Sequence, residues 1–362
     1  MTGGASPAQA MVAQPDVARG RFHPLRVRHV IPETAQARSI VFDVPAGLAG
    51  AFAYEAGQFI TIRVVLDGEA HLRSYSMSSS PATDAELRVT VKRVPGGLVS
   101  NWLNDAVGEG SVLEATAPGG SFTLDRGGHD IVAFAAGSGI TPVFSILKTA
   151  LATTSRRARL VYANRDRGAA IFGDDLDMLV ARYPGRLAVE HHEDLARGFI
   201  GPAEVTRTAR DARGAAFYVC GPAGFMEAVE AGLRELRVDQ SMVHAERFTP
   251  AQEPPPAGGS PQAGEPPPAQ ADGGTVIIRL GGKTVRTSRR PGSTLLQAAR
   301  FAGLRAPSSC EAGSCATCMA RIVRGSAVMR NNEALTADEV ADGWVLTCQA
   351  VPATPVTEVV YE

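Results

Sequence analysis

Asp130–Pro142 reads DIVAFAAGSGITP. An unbroken apolar run of this length fits a strand buried on both faces. Gly137 and Gly139 supply a tight turn, and Pro142 falls in the first turn of a helix, where a missing N–H is tolerated. The helix continues through PVFSILKTALA, residues 142–152. The same unit then repeats. RARLVYAN (157–164) leads into DLDMLVARY (175–183), and AAFYVCG (215–221) leads into AGFMEAVEAGLREL (223–236). Apolar strands alternating with helices predict a parallel sheet with covering helices over residues 126–248.

Upstream the pattern changes. SIVFDV, QFITIRVVL, LRVTVKRV and SVLEATA are short β-type runs separated by Gly and Pro turns. They predict a small antiparallel barrel or sandwich over residues 21–125. Residues 1–20 are rich in Ala, Gly, Pro and Gln and read as a flexible tail without the basic start of a signal peptide. Downstream, EPPPAGGSPQAGEPPPAQADGG dominates residues 249–274. Proline and glycine at that density predict a solvated, semi-extended linker.

Residues 275–362 form a third unit. TVIIRL and KTVRTS flank Gly281-Gly282, a hairpin signal. STLLQAARFAGL predicts a helix with Ser293 near its N-cap and Gly303 near its end. Thr336 to Glu339 has the form of a capping box. The order β-β-α-loop-β-α-β suits a small α+β domain of the β-grasp type.

Composition narrows the function classes. Hydrophobic residues make up 44% and charged residues 20% of 362 residues, an ordinary globular balance. A formal net charge of −1 gives no broad electrostatic case for nucleic acid. No stretch approaches the roughly 20 apolar residues of a membrane span. Four of the five cysteines crowd into the last unit, a pattern of a reduced compartment, so a cytoplasmic protein is expected.

Those four are Cys310, Cys315, Cys318 and Cys348, spaced C-x4-C-x2-C with a distant fourth. Two irons bridged by sulfides need four thiolates, and this is the plant-type [2Fe-2S] spacing. Gly313 and its small neighbours let the loop close on a cluster with backbone N–H groups aimed at sulfur. A zinc site is the alternative, although zinc prefers paired C-x2-C units or Cys/His mixtures.

Three more segments carry chemistry. Arg73-Ser74-Tyr75-Ser76 is R-x-Y-S: an arginine for a phosphate, an aromatic for a flat ring and a hydroxyl donor. By itself it reads equally as an exposed strand with serine edges. Lys92, Gly96, Gly97 and Ser100 lie where a strand passes through Gly-Gly into a helix, a natural phosphate site or a plain turn. Gly137, Gly139, Thr141 and Pro142 offer bare backbone at a strand-to-helix turn, as do Cys220, Gly221 and Pro222. Cys220 reads equally as a small buried apolar residue. His244 to Phe248, HAERF, ends the region.

RSYS, GSGITP, VCGP and ERF stand in the order found in the ferredoxin–NADP reductase superfamily, and CEAGSCATC resembles plant-type ferredoxins. The fusion resembles reductase components of bacterial oxygenase systems, such as those of ketosteroid 9α-hydroxylase, phenylacetyl-CoA epoxidase and phthalate dioxygenase. The similarity runs from about Gly20 to Glu362; the linker departs from it in length and proline content. The resemblance implies a flavin-binding β-barrel, an NAD(P)H-binding α/β domain and a [2Fe-2S] ferredoxin domain. It implies FAD rather than FMN, a [2Fe-2S] cluster, and NADH or NADPH as substrate.

Arg73, Ser74, Tyr75, Ser76, Lys92, Gly96, Gly97, Ser100, Gly137, Gly139, Thr141, Pro142, Gly221, Pro222 and Phe248 are the implied cofactor-binding residues. Ser76, Cys220 and Glu246 are the implied catalytic set, and the four cysteines the metal ligands. Arg165 and Arg167 face two readings, a 2′-phosphate contact or solvated arginines, which leaves the coenzyme open. The implied partner is a terminal oxygenase, hydroxylase or desaturase. A free-standing flavin or quinone reductase and a redox sensor are the other readings.

Overall fold

The computed structural model describes residues 22–248 and 274–361, except 305, 309–312, 314–315 and 333. The expected tail, the linker, Cys310 and Cys315 lie outside the described residues.

The first unit is a six-stranded antiparallel sheet. Its strands are β1 (Phe22–Thr34), β2 (Ala37–Asp43), β3 (Phe59–Leu66), β4 (Glu69–Ser76), β5 (Leu87–Lys92) and β6 (Val112–Thr116), with helix α1 (Leu98–Asp105) after β5. The order β4-β3-β6-β1-β2-β5 puts β4 and β5 at opposite edges, and the bridge Met77↔Val89 joins those edges into a barrel. Alternation makes the interior: Ile60, Ile62 and Val64 of β3 face Val89, Val91, Leu113 and Ala115 in one core.

The second unit alternates strand and helix: β7 (Ile131–Ala136), α2 (Ile140–Thr153), β8 (Ala158–Asn164), α3 (Gly173–Arg182), β9 (Leu187–Glu193), α4 (Asp194–Arg197), α5 (Pro202–Ala209), β10 (Ala216–Gly221), α6 (Ala223–Glu235) and β11 (Val243–Arg247). The sheet is parallel in the order β11-β10-β7-β8-β9. All six residues of β7 are buried, because α2 covers one face of the strand and α5 and α6 the other. The connection from β7 runs to β8 on one side and that from β10 to β11 on the other, so the carboxyl ends of β7 and β10 form the topological switch point.

The third unit has a mixed sheet, β13-β12-β18-β14-β16, with the pair β15-β17 beside it. Its elements are β12 (Thr275–Leu280), β13 (Lys283–Ser288), α7 (Leu295–Phe301), β14 (Met319–Arg324), β15 (Ala327–Met329), α8 (Ala337–Ala341), β16 (Trp344–Leu346), β17 (Ala350–Pro352) and β18 (Val356–Val360). Gly281 and Gly282 both take positive φ, 55° and 74°, as a two-residue hairpin turn of the I′ kind requires. The N-cap of α7 is Thr294, the residue next to the expected Ser293. Thr294 and Gln297 form a reciprocal capping box, which two orphan N–H groups favour over a lone serine. The Thr336–Glu339 box caps α8.

The barrel and the parallel-sheet unit share a polar seam. Lys148 of α2, almost fully buried, pairs with Asp84 of the loop before β5. Asp84 also accepts the Ser80 N–H at 2.9 Å, while Ser145 Oγ donates to the Ser79 carbonyl. Burial raises the Asp84 carboxyl, but Lys148 outweighs it and holds the group below its ordinary value. A depressed carboxyl stabilises the fold above its unfolded value and loses that contribution as pH falls through the folded one. Asp84→Asn leaves a buried ammonium without its counterion. It is expected to cost about 3 kcal/mol, a fall in Tm of roughly 5–10 °C by thermal melting. A melt unchanged within 2 °C or so would show the pair to be dispensable.

Candidate functional site

Strand β4 ends at Ser76 and β11 ends at Arg247, in different units, yet Ser76 Oγ donates to Glu246 Oε2 at 3.1 Å. Ser76 is 3% exposed. In the parallel register Cys220 of β10 stands opposite Glu246 of β11. Three residues drawn from sequence positions 76, 220 and 246 therefore meet at the carboxyl edge of the sheet. The Cys220 thiol itself is completely enclosed in the core under the turn. Burial, and next the nearby Glu246 carboxylate, push its pKa well up, so it stays a neutral thiol.

The Gly137-Ser138-Gly139 turn follows β7 directly and opens α2. Gly137 has φ 54°, a left-handed conformation that glycine adopts at no steric cost. A Cβ on Gly139 would fall inside contact distance of the Cys220 carbonyl and 2.8 Å from Gly221 N. A Cβ on Gly221 would meet Phe225 at 2.8 Å and Ala136 at 3.0 Å. The two turns are thus packed backbone to backbone, and only glycines allow it. Tyr162 OH donates to the Gly137 carbonyl at 3.0 Å and Thr141 Oγ1 to the Ser138 carbonyl at 3.0 Å, which fixes the turn from below. Pro142 is buried in the first turn of α2, and Pro222 occupies the N-cap of α6.

Lys92 ends β5 and reaches across from the barrel. Its Nζ lies 3.2 Å from where a Gly137 Cβ would stand. Burial, then the charge of Arg165, hold its pKa below the ordinary lysine value. A partly desolvated ammonium at a glycine turn and helix start suits a pyrophosphate. Arg165 and Arg167 follow β8, next along the same edge. Arg165 Nε bonds Asp166 at 2.8 Å, and Arg167 Nη2 bonds Asp177 at 2.6 Å.

On the barrel side, Gly96 has φ 73° and Gly97 is the N-cap of α1. A Cβ on Gly97 would lie 2.6 Å from Ser100 Oγ and 2.9 Å from Val94 Cβ. Ser100 Oγ accepts the Val94 N–H at 3.1 Å, which draws the glycine turn onto the helix. The first turn of α1 has no side-chain cap, so its backbone N–H groups suit a diphosphate such as that of FAD. Arg73 Nη1 bonds the Leu72 carbonyl at 2.8 Å, and Ser74 Oγ meets Thr61 Oγ1 at 3.0 Å. Burial drives the Tyr75 phenol well above its ordinary value, so it is a neutral ring with a hydroxyl. Phe248, 37% exposed, follows β11 on the same edge.

In the third unit Cys318 and Cys348 are 2% and 8% exposed and share an apolar cluster with Leu296, Leu335 and Leu346. Cys348 N donates to Cys318 Sγ at 3.5 Å, and Gln349 Nε2 to Cys348 Sγ at 3.7 Å. Gly313 has φ 90°, and a Cβ there would stand 2.9 Å from the Asn331 carbonyl. Two converging sulfurs that receive N–H donors, beside a glycine-dependent loop, fit an iron-sulfur centre.

The Lys148–Asp84 seam and the support of the Gly137 turn by Tyr162 were not legible in the sequence. Their partners lie in segments with no shared motif.

Three family models match: an oxidoreductase FAD-binding domain at residues 25–124, an oxidoreductase NAD-binding domain at 134–231, and a 2Fe-2S iron-sulfur cluster binding domain at 278–353. The ferredoxin reductase component of 3-ketosteroid-9-alpha-monooxygenase from Rhodococcus rhodochrous is 39% identical over 91% of this chain and 94% of its own. The glycine betaine monooxygenase reductase component from Pseudomonas aeruginosa (strain UCBPP-PA14) is 33% identical over 92% and 94%. The solved structure of phthalate dioxygenase reductase superposes with a TM-score of 0.58 over 95% of this chain and 99% of that one, at 23% identity. Among the described residues no helix is long and apolar enough to cross a membrane.

Proposed function

Because the chain belongs to the family of oxygenase reductase components that join FAD-, NAD- and 2Fe-2S-binding domains, we propose that it delivers electrons from NAD(P)H to a separate terminal oxygenase, hydroxylase or desaturase. When bound, FAD takes up the hydride of the nucleotide, and the [2Fe-2S] centre carries electrons singly.

The protein's part is placement. The two glycine turns at the switch point admit the nucleotide to bare backbone, and Lys92 meets its pyrophosphate. Arg73, Gly96, Gly97 and the start of α1 hold the flavin phosphates, with Ser74 and Tyr75 beside the ring. Ser76 and Glu246 hold the facing rings in register, and Cys220 backs the turn from the core. Phe248 covers the edge. Cys310, Cys315, Cys318 and Cys348 ligate the cluster. The division into 21–125, 126–248 and 275–362, with the tail 1–20, the linker 249–274 and a cytoplasmic setting, belongs to the same reading.

The observation that carries it is the Ser76–Glu246 hydrogen bond, which sets the barrel strand against the switch point of the parallel sheet. An anaerobic absorbance titration of the purified holoprotein tests it. Flavin bands and the cluster shoulder should both bleach with a nicotinamide nucleotide; no bleaching by NADH or NADPH refutes the reading. Ser76→Ala is expected to slow flavin bleaching by between about tenfold and a hundredfold while leaving cluster absorbance intact. An unchanged stopped-flow rate would remove Ser76 from the site.

NADH is the coenzyme this edge favours. A 2′-phosphate would have to take Arg165 from Asp166 and Arg167 from Asp177. Asp166→Asn keeps an acceptor for the Ala169 N–H that Asp166 now caps at 2.9 Å, yet removes the charge. It should raise kcat/KM for NADPH by about tenfold and leave NADH nearly unchanged. Equal changes for both nucleotides would place the discrimination elsewhere.

A further inference from the structure

We propose that the ferredoxin unit hands its electrons out through a cationic rim around Phe301, and that this rim docks an acidic face of the acceptor protein. The inference rests on the reductase reading above and adds the chemistry of the partner surface.

The chain's near-neutral charge hides a polarised distribution. Residues 274–362 carry ten Lys and Arg against seven Asp and Glu. Within residues 289–333, which enclose most of the cysteine loop, there are seven arginines and two glutamates. The structure brings Arg330 to the turn that carries Arg290. The Arg290 guanidinium lies 3.9 Å from the centroid of the Phe301 ring, and Phe301 is 52% exposed at the end of α7. Arg330 Nη2 bonds the Gly292 carbonyl at 2.6 Å, which ties it to the Arg290 turn. Arg300, beside Phe301, donates to Ser308 Oγ at 3.1 Å.

Contacts tie these groups to residues next to the cysteines in the chain. The Arg330 N–H bonds the Gln349 carbonyl, one residue from Cys348. Ser308 precedes Cys310 by two residues. Leu296, in the first turn of α7, packs with Cys318 and Cys348. Contacts to a ring and to a carbonyl leave the charges of Arg290 and Arg330 in place. Cys318 and Cys348 are buried, so an acceptor has to approach the cluster over the surrounding surface. That surface presents an aromatic with arginines, the composition of an interface centre. A cationic rim of this kind steers an anionic partner and repels a cationic one.

The test uses the full holoprotein, soluble cytochrome b5 as an acidic protein acceptor and cytochrome c as a basic one. The double variant Arg290→Glu/Arg330→Glu reverses the rim, and Arg290→Gln/Arg330→Gln neutralises it. Wild type should reduce the acidic cytochrome at a rate that falls with added NaCl. Charge reversal should lower that rate by about tenfold or more and raise the rate with the basic cytochrome. Neutralisation should fall between. Cluster absorbance and its bleaching by NADH should match wild type in both variants, which separates docking from folding. Equal salt profiles for the two cytochromes, or no effect of reversal, overturn the proposal. So does slower bleaching of the cluster itself, which would place the rim against the chain's own flavin unit. If neither NADH nor NADPH bleaches the wild-type cluster before any cytochrome is added, the reductase reading fails instead.

Discussion

Replacing Cys348 with serine is expected to abolish the cluster absorbance and reduce electron delivery to any protein acceptor by more than about a hundredfold, while nucleotide-driven bleaching of the flavin persists. The structure explains why this one residue, thirty positions after Cys318, belongs with it. Thr347 binds the Cys318 carbonyl twice, through N at 3.1 Å and Oγ1 at 2.7 Å. Tyr361 OH donates to Thr347 Oγ1 at 3.0 Å from the end of the chain. The turn after β16 is thereby pinned, and Cys348 arrives beside Cys318 in an apolar, buried place. Serine keeps the size but offers a hard, poorly ionised oxygen where iron-sulfide chemistry wants a thiolate. Visible absorbance and circular dichroism of the purified variant read the cluster, and stopped-flow bleaching reads the flavin. A normal cluster spectrum would remove Cys348 from the ligand set.

Gly139→Ala is expected to be the most damaging single methyl addition in the nucleotide unit. Its Cβ would collide with the Cys220 carbonyl and stand 2.8 Å from Gly221 N, both backbone atoms of β10. No side chain can rotate away, so β7 and β10 must separate or the turn must move. The expected cost is about 3 kcal/mol, the upper end for overpacking, with flavin bleaching slowed about a hundredfold. Gly137→Ala makes a useful contrast: its Cβ meets only the flexible end of Lys92 at 3.2 Å, and the penalty is the left-handed φ of 54°. That costs about 1–2 kcal/mol. Thermal melts and stopped-flow rates on the two variants check the order. A Gly139→Ala protein within threefold of wild type in both would mean that the close approach is not needed.

The alternating motif of residues 130–236 announced a parallel sheet, because a central strand must be apolar on both faces and its covering helices must follow at short range. The Gly281-Gly282 hairpin was legible for the same local reason, since only glycine takes two successive positive φ angles cheaply. The sequence places the α7 cap at Ser293 or its neighbour, since serine and threonine are both good caps. Gln297 decides for Thr294, reaching back three positions. Cys220 shows the limit more sharply. Its sequence context, VCGP, marks it as a site residue; the structure seals its thiol in the core and sets its carbonyl against Gly139.

By itself the sequence determined the three units, their classes, the glycine turns and the spacing of the cysteines. These depend on neighbours along the chain, whose propensities and turn demands act within a few residues. Only the tertiary structure decided that Ser76 meets Glu246, that Lys92 of the barrel stands over the Gly137 turn, that Lys148 pairs with Asp84, that Arg290 lies over Phe301, and that Arg330 reaches the Gly292 carbonyl next to the Arg290 turn. Those pairings join residues that share no local pattern, and a side chain's partner across tens of residues is set by how whole sheets and helices pack.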